Sequence, residues 1–152
     1  MNRSTIRLGL ALTGLAAMLA GCASGGPAPS VKNGRTLYQR LGGMPAIKAL
    51  VIGVKDRAVS DPRTREYFKG FDPEPIVEHF IQLACVATGG PCKYEGRPMK
   101  QVHKGLHITN AAFDAFMEDI LFTAKKLKVK QAEQDEVAGL FNATRKDIVE
   151  IK

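Results

Sequence analysis

Two histidines carry the chemistry that is easiest to read in this chain. His79 stands in the apolar helical run Glu78-His79-Phe80-Ile81, and His103 closes Met99-Lys100-Gln101-Val102-His103, 24 residues later. A glycine-rich stretch, Gly89-Gly90-Pro91-Cys92, separates them. Two elements joined by such a loop are free to fold face to face, with both imidazoles turned to one centre. Neutral imidazole is the commonest metal ligand among side chains. The pattern therefore points to a metal, or a metal-bearing cofactor, in a pocket between the two elements. The third histidine, His107, lies in the loop before Thr109 and reads as a surface residue.

The elements that must position these residues are helical. Arg35 to Leu41 is expected as a short helix, stopped by Gly42-Gly43, where glycine accepts the left-handed turn. Pro45 suits the first turn of the next helix. There Ile47, Leu50, Val51, Val54 and Ala58 recur at helical spacing, with an end near Ser60. Asp61-Pro62 opens a turn that delivers Tyr67-Phe68. After the breaks at Gly70 and Asp72-Pro73, Ile76, Val77, Phe80, Ile81, Ala84 and Thr88 form one face of the helix bearing His79. Its end is fixed by Gly89-Gly90-Pro91. His103 lies between Pro98 and Gly105, so its own helix has one or two turns. Thr109 is a suitable N-cap for an amphipathic helix through Phe113, Phe116, Met117, Ile120, Leu121, Ala124 and Leu127. Val137, Leu140, Phe141, Thr144, Ile148 and Ile151 predict one last helix. No stretch alternates as a strand does, so the fold class is all-α.

Several of these pieces, in this order and spacing, resemble the truncated haemoglobins, and their first, N-type group above all. They are Leu37-Tyr38-Gln39-Arg40-Leu41-Gly42-Gly43, Asp61-Pro62-Arg63, Tyr67-Phe68-Lys69-Gly70, Gly89-Gly90-Pro91, Tyr94-Glu95-Gly96, Met99-Lys100-Gln101-Val102-His103 and Ile108-Thr109. The resemblance covers about residues 35–152. It implies a two-over-two helical sandwich enclosing haem b, with iron as the metal. It places His103 as the proximal ligand and Phe68 against the haem face. Ile76, Phe80, Tyr94 and Val102 become further cofactor contacts. In several cyanobacterial members the position matching His79 is a histidine that binds iron as the sixth ligand.

The chain also departs from the family pattern. Lys55 stands where the family usually has a tyrosine that hydrogen-bonds the bound ligand, and Val54 stands in place of the preceding phenylalanine. Phe80 stands where a glutamine partner is common. Strong oxygen binding of the Tyr/Gln type is therefore not expected. Two readings of Lys55 stay open. It is a distal donor, or its stem packs along the helix while its ammonium reaches out to water or a haem propionate.

The N-terminus reads as targeting. Arg3 and Arg7 precede an apolar run from Leu8 to Leu19, and Leu19-Ala20-Gly21-Cys22 has the form of a lipobox. The apolar run is too short to span a bilayer. Residues 1–21 are thus expected to be a lipoprotein signal peptide, with Cys22 acylated. Residues 22–34, rich in Gly, Pro, Ser and Ala, read as a flexible tether, and residues 35–152 as the globin domain. With Ala23-Ser24 after the cysteine, the expected location is the periplasmic side of a bacterial membrane, the outer membrane by preference. An oxidising compartment permits a Cys85–Cys92 disulfide. Alternatively, Cys85 is simply packed within its helix.

The chain of 152 residues is enough for one domain with a sizeable core, and its 45% apolar content is ordinary for a globular protein. Without the first 21 residues it carries 20 basic and 15 acidic residues, a net charge of +5. The lysines are scattered without interleaved aromatics, so nucleic acid is not an expected partner. The expected partners are a diatomic gas, an unidentified reductase and, through Cys22, a membrane. The leading function is a lipid-anchored haem globin that binds a gas or passes electrons. The alternatives are a haem enzyme, such as a nitric-oxide dioxygenase or peroxidase, and a globin-fold lipoprotein that has lost haem.

Overall fold

A computed structural model describes residues 30–151. The expected signal peptide, the expected lipidation position Cys22 and most of the expected tether lie outside the described residues.

Tertiary order begins earlier than the composition suggests. Val31–Lys32 (β1) and Arg35–Thr36 (β2) pair antiparallel, with Val31 opposite Thr36 and Lys32 opposite Arg35. The two residues between them are Asn33, at φ 51°, and Gly34, at φ 70°. Positive φ at both central positions is what a two-residue hairpin turn demands, and Asn-Gly meets that demand. The ammonium of Lys32 lies 2.5 Å from Glu136, and the Ser30 hydroxyl donates to the same carboxylate. The expected tether boundary at residue 34 is therefore too late, because residues 30–34 belong to the folded domain.

Thr36 caps the next helix, Leu37–Leu41 (α1). Its hydroxyl accepts from the Gln39 amide, and the Gln39 side chain accepts from the Thr36 amide. Gly42, at φ 110°, ends α1 and leads into Gly43–Ala58 (α2). A turn and a short 3-10 segment, Arg65–Phe68, lead to Pro73–Ala87 (α3), capped by Asp72. The helix bearing His103 is Met99–His103 (α4). Thr109 caps Asn110–Lys126 (α5) through a bond from the Ala112 amide, 3.1 Å. Gln131–Asn142 (α6) follows. The single last helix expected through Ile151 does not form. The chain breaks after Asn142, makes one turn at Arg145–Ile148 (α7), and runs extended so that Ile151 bridges Thr109 in parallel.

Helices α2 and α3 pack together, α5 crosses α2, and α6 packs on α5, which gives the two-over-two sandwich. The α2–α5 crossing is close because Gly53 has no side chain. A Cβ there would come within 2.7 Å of the Thr123 methyl carbon. The main core joins Leu37, Leu50, Val54, Phe113, Ile120 and Val137, and a second cluster packs Ile47 and Val51 against Ala84. Each buried aliphatic side chain contributes about 1.5–3 kcal/mol relative to an exposed one. Among the described residues no helix is long and apolar enough to cross a membrane.

Candidate functional site

The helices stop short of closing on each other and leave a cavity of about 540 Å³ between α3, α4 and α5. Its wall contains Lys55, Phe68, Ile76, His79, Phe80, Tyr94, Val102 and His103, which is every cofactor-contacting residue that the sequence suggests. His107 is not among them. Its side chain is 77% exposed, on the far side of the turn. Sequence reasoning did not assign Phe116, Phe141, Met117, Leu106 and Thr144 to the site, yet they also line it. For Phe116, Met117 and Phe141 the signal was the apolar stripe of α5 and α6. That stripe marks an inward face and does not separate core from cavity wall.

The wall is mainly aromatic. The Phe80 ring meets Phe141 edge-on at 5.6 Å and lies 6.1 Å from Phe116, which in turn lies 6.5 Å from Phe68. Such contacts are worth about 0.5–1.5 kcal/mol each beyond burial and give the cavity a stiff lining.

His103 is oriented by its own helix. Its Nδ1 lies 2.7 Å from the Met99 carbonyl oxygen. A carbonyl only accepts, so Nδ1 carries the proton and Nε2 keeps the free lone pair. A metal-binding imidazole is commonly prepared in this way. On the other element, His79 stands on α3 with the Tyr94 ring edge-on at 6.3 Å. The Tyr94 hydroxyl donates to the Arg97 carbonyl at 2.8 Å, and partial burial pushes its pKa up. Lys55 reaches the cavity from α2, and its ammonium pairs with the neighbouring carboxylate of Asp56.

The loop between the two histidines is tied down at several points. Cys85 and Cys92 form a disulfide, with their Cα atoms 5.9 Å apart. The Gly90 amide donates to the Cys85 carbonyl at 2.8 Å, and the Glu95 amide to the Gln82 side chain at 3.1 Å. Gly90 has to be glycine, since a Cβ there would fall 2.5 Å from the Cys85 sulfur. Of the two possibilities for Cys85, the structure takes the disulfide, while its side chain is also fully buried.

The donor set limits what the cavity is able to hold. Among the described residues there is no cluster of three or more His, Cys, Asp or Glu suited to a bare metal ion. Structural metal sites need about four protein ligands and catalytic ones about three. Two imidazoles in an apolar cavity suit instead a metal that brings its own in-plane ligands. The volume lies inside the range of roughly 300–1,000 Å³ usual for cofactor pockets. A haem fits this combination.

Known proteins agree with the geometry. Residues 36–150 match the family model described as bacterial-like globin. The chain belongs to the bacterial-like globin family, among the group 1 truncated haemoglobins. The globin is 34% identical over 115 residues to a group 1 truncated hemoglobin of Tetrahymena pyriformis, covering 76% of this chain and 95% of that one. It is 36% identical over 112 residues to the group 1 truncated hemoglobin GlbN of Synechocystis, covering 71% and 90%. The Fe(III) form of the Tetrahymena pyriformis protein superposes with a TM-score of 0.73 over 76% of this chain and 98% of that one. A 2/2 hemoglobin of Synechococcus, solved in the cyanomet state with covalently attached heme, gives a TM-score of 0.72 at 28% identity, with the same coverages.

Proposed function

We propose that this globin binds haem b between α3 and α4, with His103 as the proximal ligand and His79 as a second axial ligand that yields to an external diatomic gas. The carrying observation is that, among the described residues, two imidazoles and no larger ligand cluster line one aromatic cavity of cofactor size. Haem supplies an iron centre that binds small gases and exchanges single electrons. The chain's own residues do the rest. Met99 holds the His103 proton on Nδ1, which leaves Nε2 as the nitrogen that would hold the iron. Phe68, Phe80 and Phe116 exclude water. His79 sets the balance between a closed site, suited to electron transfer, and an open one that admits a gas. The reductant is an external electron donor.

The test is the absorption spectrum of the ferric protein loaded with haem. A six-coordinate low-spin wild type that turns high-spin in His79→Ala supports the assignment. A wild type that is already high-spin at neutral pH sinks it, as does a low-spin form lost in Lys55→Ala and kept in His79→Ala. Absence of a Soret band would favour a globin fold without haem.

The same reading places the protein outside the cytoplasm, held by acyl chains on Cys22. The lipobox Leu19-Ala20-Gly21-Cys22 supports this, and so does the Cys85–Cys92 bond, because disulfides persist in oxidising compartments. A single short anchor sequence suffices where more than one chain is attached. Cys22→Ser should move the protein from the membrane fraction to the soluble one. Quantitative retention with membranes, or continued acylation, would refute the anchor.

A further inference from the structure

His103 sits at the end of a helix of five residues. Helices shorter than about 12–15 residues are marginal in water, so the place of α4 is set by what it is tied to. On its upstream side that is the disulfide-bonded loop. On its downstream side the chain turns sharply, with Gly105 at φ 83° and His107 at φ 54°. Both residues direct their amides out of the turn, and one side chain takes both. The Gly105 amide donates to Oε1 of Glu150 at 2.8 Å, and the His107 amide to Oε2 at 2.7 Å. A carboxylate held by two amides of one tight turn, two residues apart, is an anion seated against converging backbone dipoles.

The segment that carries Glu150 is knitted to the same turn. The amides of Glu150 and Ile151 donate to the Ile108 carbonyl at 3.0 and 3.1 Å, and the Asn110 amide donates to the Ile151 carbonyl at 3.2 Å. Inside the turn, the Leu106 amide donates to the His103 carbonyl at 3.2 Å, and the Leu106 side chain lines the cavity. The Glu150 carboxylate therefore holds the amides on either side of Leu106, whose own amide bonds back to the His103 carbonyl. The Glu150 carboxyl is held below its ordinary range, first by the bond from Gly105 and then by that from His107, so it is ionised at neutral pH.

We infer that Glu150 is a positioning residue for the proximal imidazole, fixing from the C-terminal end of the chain how firmly His103 is presented to the cavity. The inference rests on His103 as the proximal ligand. It also accounts for the break after Asn142. A helix continued through Ile151 would carry Glu150 away from the turn.

The experiment uses the full haem-loaded chain with Glu150→Ala and Glu150→Gln. Haem transfer to excess apomyoglobin gives the loss rate, and resonance Raman of the ferrous form, recorded with and without the Glu150 change in a His79→Ala background where His103 alone would hold the iron, gives the iron–histidine stretching band. Partners that orient a metal-bound histidine typically matter by about 10–100-fold. Glu150→Ala should lose haem at least about tenfold faster, with a shifted or broadened band. Glu150→Gln keeps one acceptor oxygen and should fall between. In the haem-free protein, hydrogen exchange at residues 104–108 should rise in Glu150→Ala. An unchanged band and loss rate in folded Glu150→Ala would overturn the inference. So would a faster loss no greater than in Asp61→Asn, a remote ion-pair variant compared at equal loss of stability. His103→Ala separates the two levels of argument. If that variant keeps the wild-type spectrum, the proximal assignment itself fails, whatever Glu150 does.

Discussion

His103 is oriented by its own helix. The carbonyl of Met99 fixes its proton on Nδ1, and a neutral imidazole with Nε2 free is the ligating form. Removing the ring leaves the cavity wall intact and removes its oriented donor. His103→Ala should therefore fold and bind haem at least about tenfold more weakly, read by titration of the Soret absorbance, since loss of a supporting partner alone already costs that much. An unchanged ferrous spectrum and affinity would show that the donor lies elsewhere. At this scale much of the site was legible in the sequence. Residues that stand in motifs, from Phe68 to His103, are named from the resemblance of those motifs to the family's, and the structure gathers them around one cavity. Phe116 and Phe141 cannot be assigned in this way, because they belong to amphipathic stripes whose inward faces look alike whether they meet a neighbour or a cofactor. Glu150 left no signal at all. Its role depends on a turn 45 residues earlier in the chain that folding brings beside it.

Among the elements, the long helices were legible and their ends less so. Thr36, Asp72 and Thr109 cap as their residue types suggest, each accepting a bond from an amide in the first turn. The N-terminal hairpin was missed although Asn33-Gly34 is a strong hairpin signal, because strands of two residues show no alternation. The last helix was overextended because the apolar spacing of Ile148 and Ile151 continues the helical period, while the backbone of Glu150 and Ile151 bonds instead to Ile108. The loop between α3 and α4 is the element on which the site most depends, since it sets one histidine against the other. Its disulfide closes a loop with a sequence separation of 7. By the chain-entropy relation a loop of this size stabilises the fold by about 2 kcal/mol. Reduction, or the paired change Cys85→Ala with Cys92→Ser, should lower the urea midpoint accordingly and increase hydrogen exchange across residues 89–98. Equal midpoints for the oxidised and reduced protein would mean that Gly90, Gln82 and Tyr94 hold the loop without the bond.

For the whole molecule, the organising polar contact lies away from the cavity. Arg40 of α1, whose side chain is only 7% exposed, donates to Glu133 at 2.9 Å and to Glu136 at 2.5 Å on α6. Ser30 and Lys32 of the hairpin reach the same Glu136. One carboxylate thus joins the point where the chain enters the domain to the first and sixth helices. The bond from Arg40 is the main reason that the Glu136 carboxyl falls from its ordinary value of 4.5 to about 2. The unfolded chain protonates this group first as pH falls, so the contribution is complete above about pH 4.5 and drains away toward pH 2. Asp61, lowered to about 2 chiefly by its bond from Arg63, adds to the same acid limb. Asp119 acts in the opposite direction. It is fully buried against Arg57, and burial raises its pKa, so protonation relieves a cost as pH falls. Glu150 and Glu66 are lowered as well, by bonds from Gly105 and Lys69 first, so four carboxylates against one give net acid destabilisation as the pH falls below 4.5. Glu136→Gln isolates the network's share, because glutamine has no charge to lose. Its urea midpoint should lie below that of the wild type at pH 7, and the gap should narrow as the pH falls toward 2, where the wild-type carboxyl loses its charge. A gap that stays constant across this range would place the effect of Glu136 in its packing, and the ionic tie between hairpin, α1 and α6 would then contribute nothing to stability.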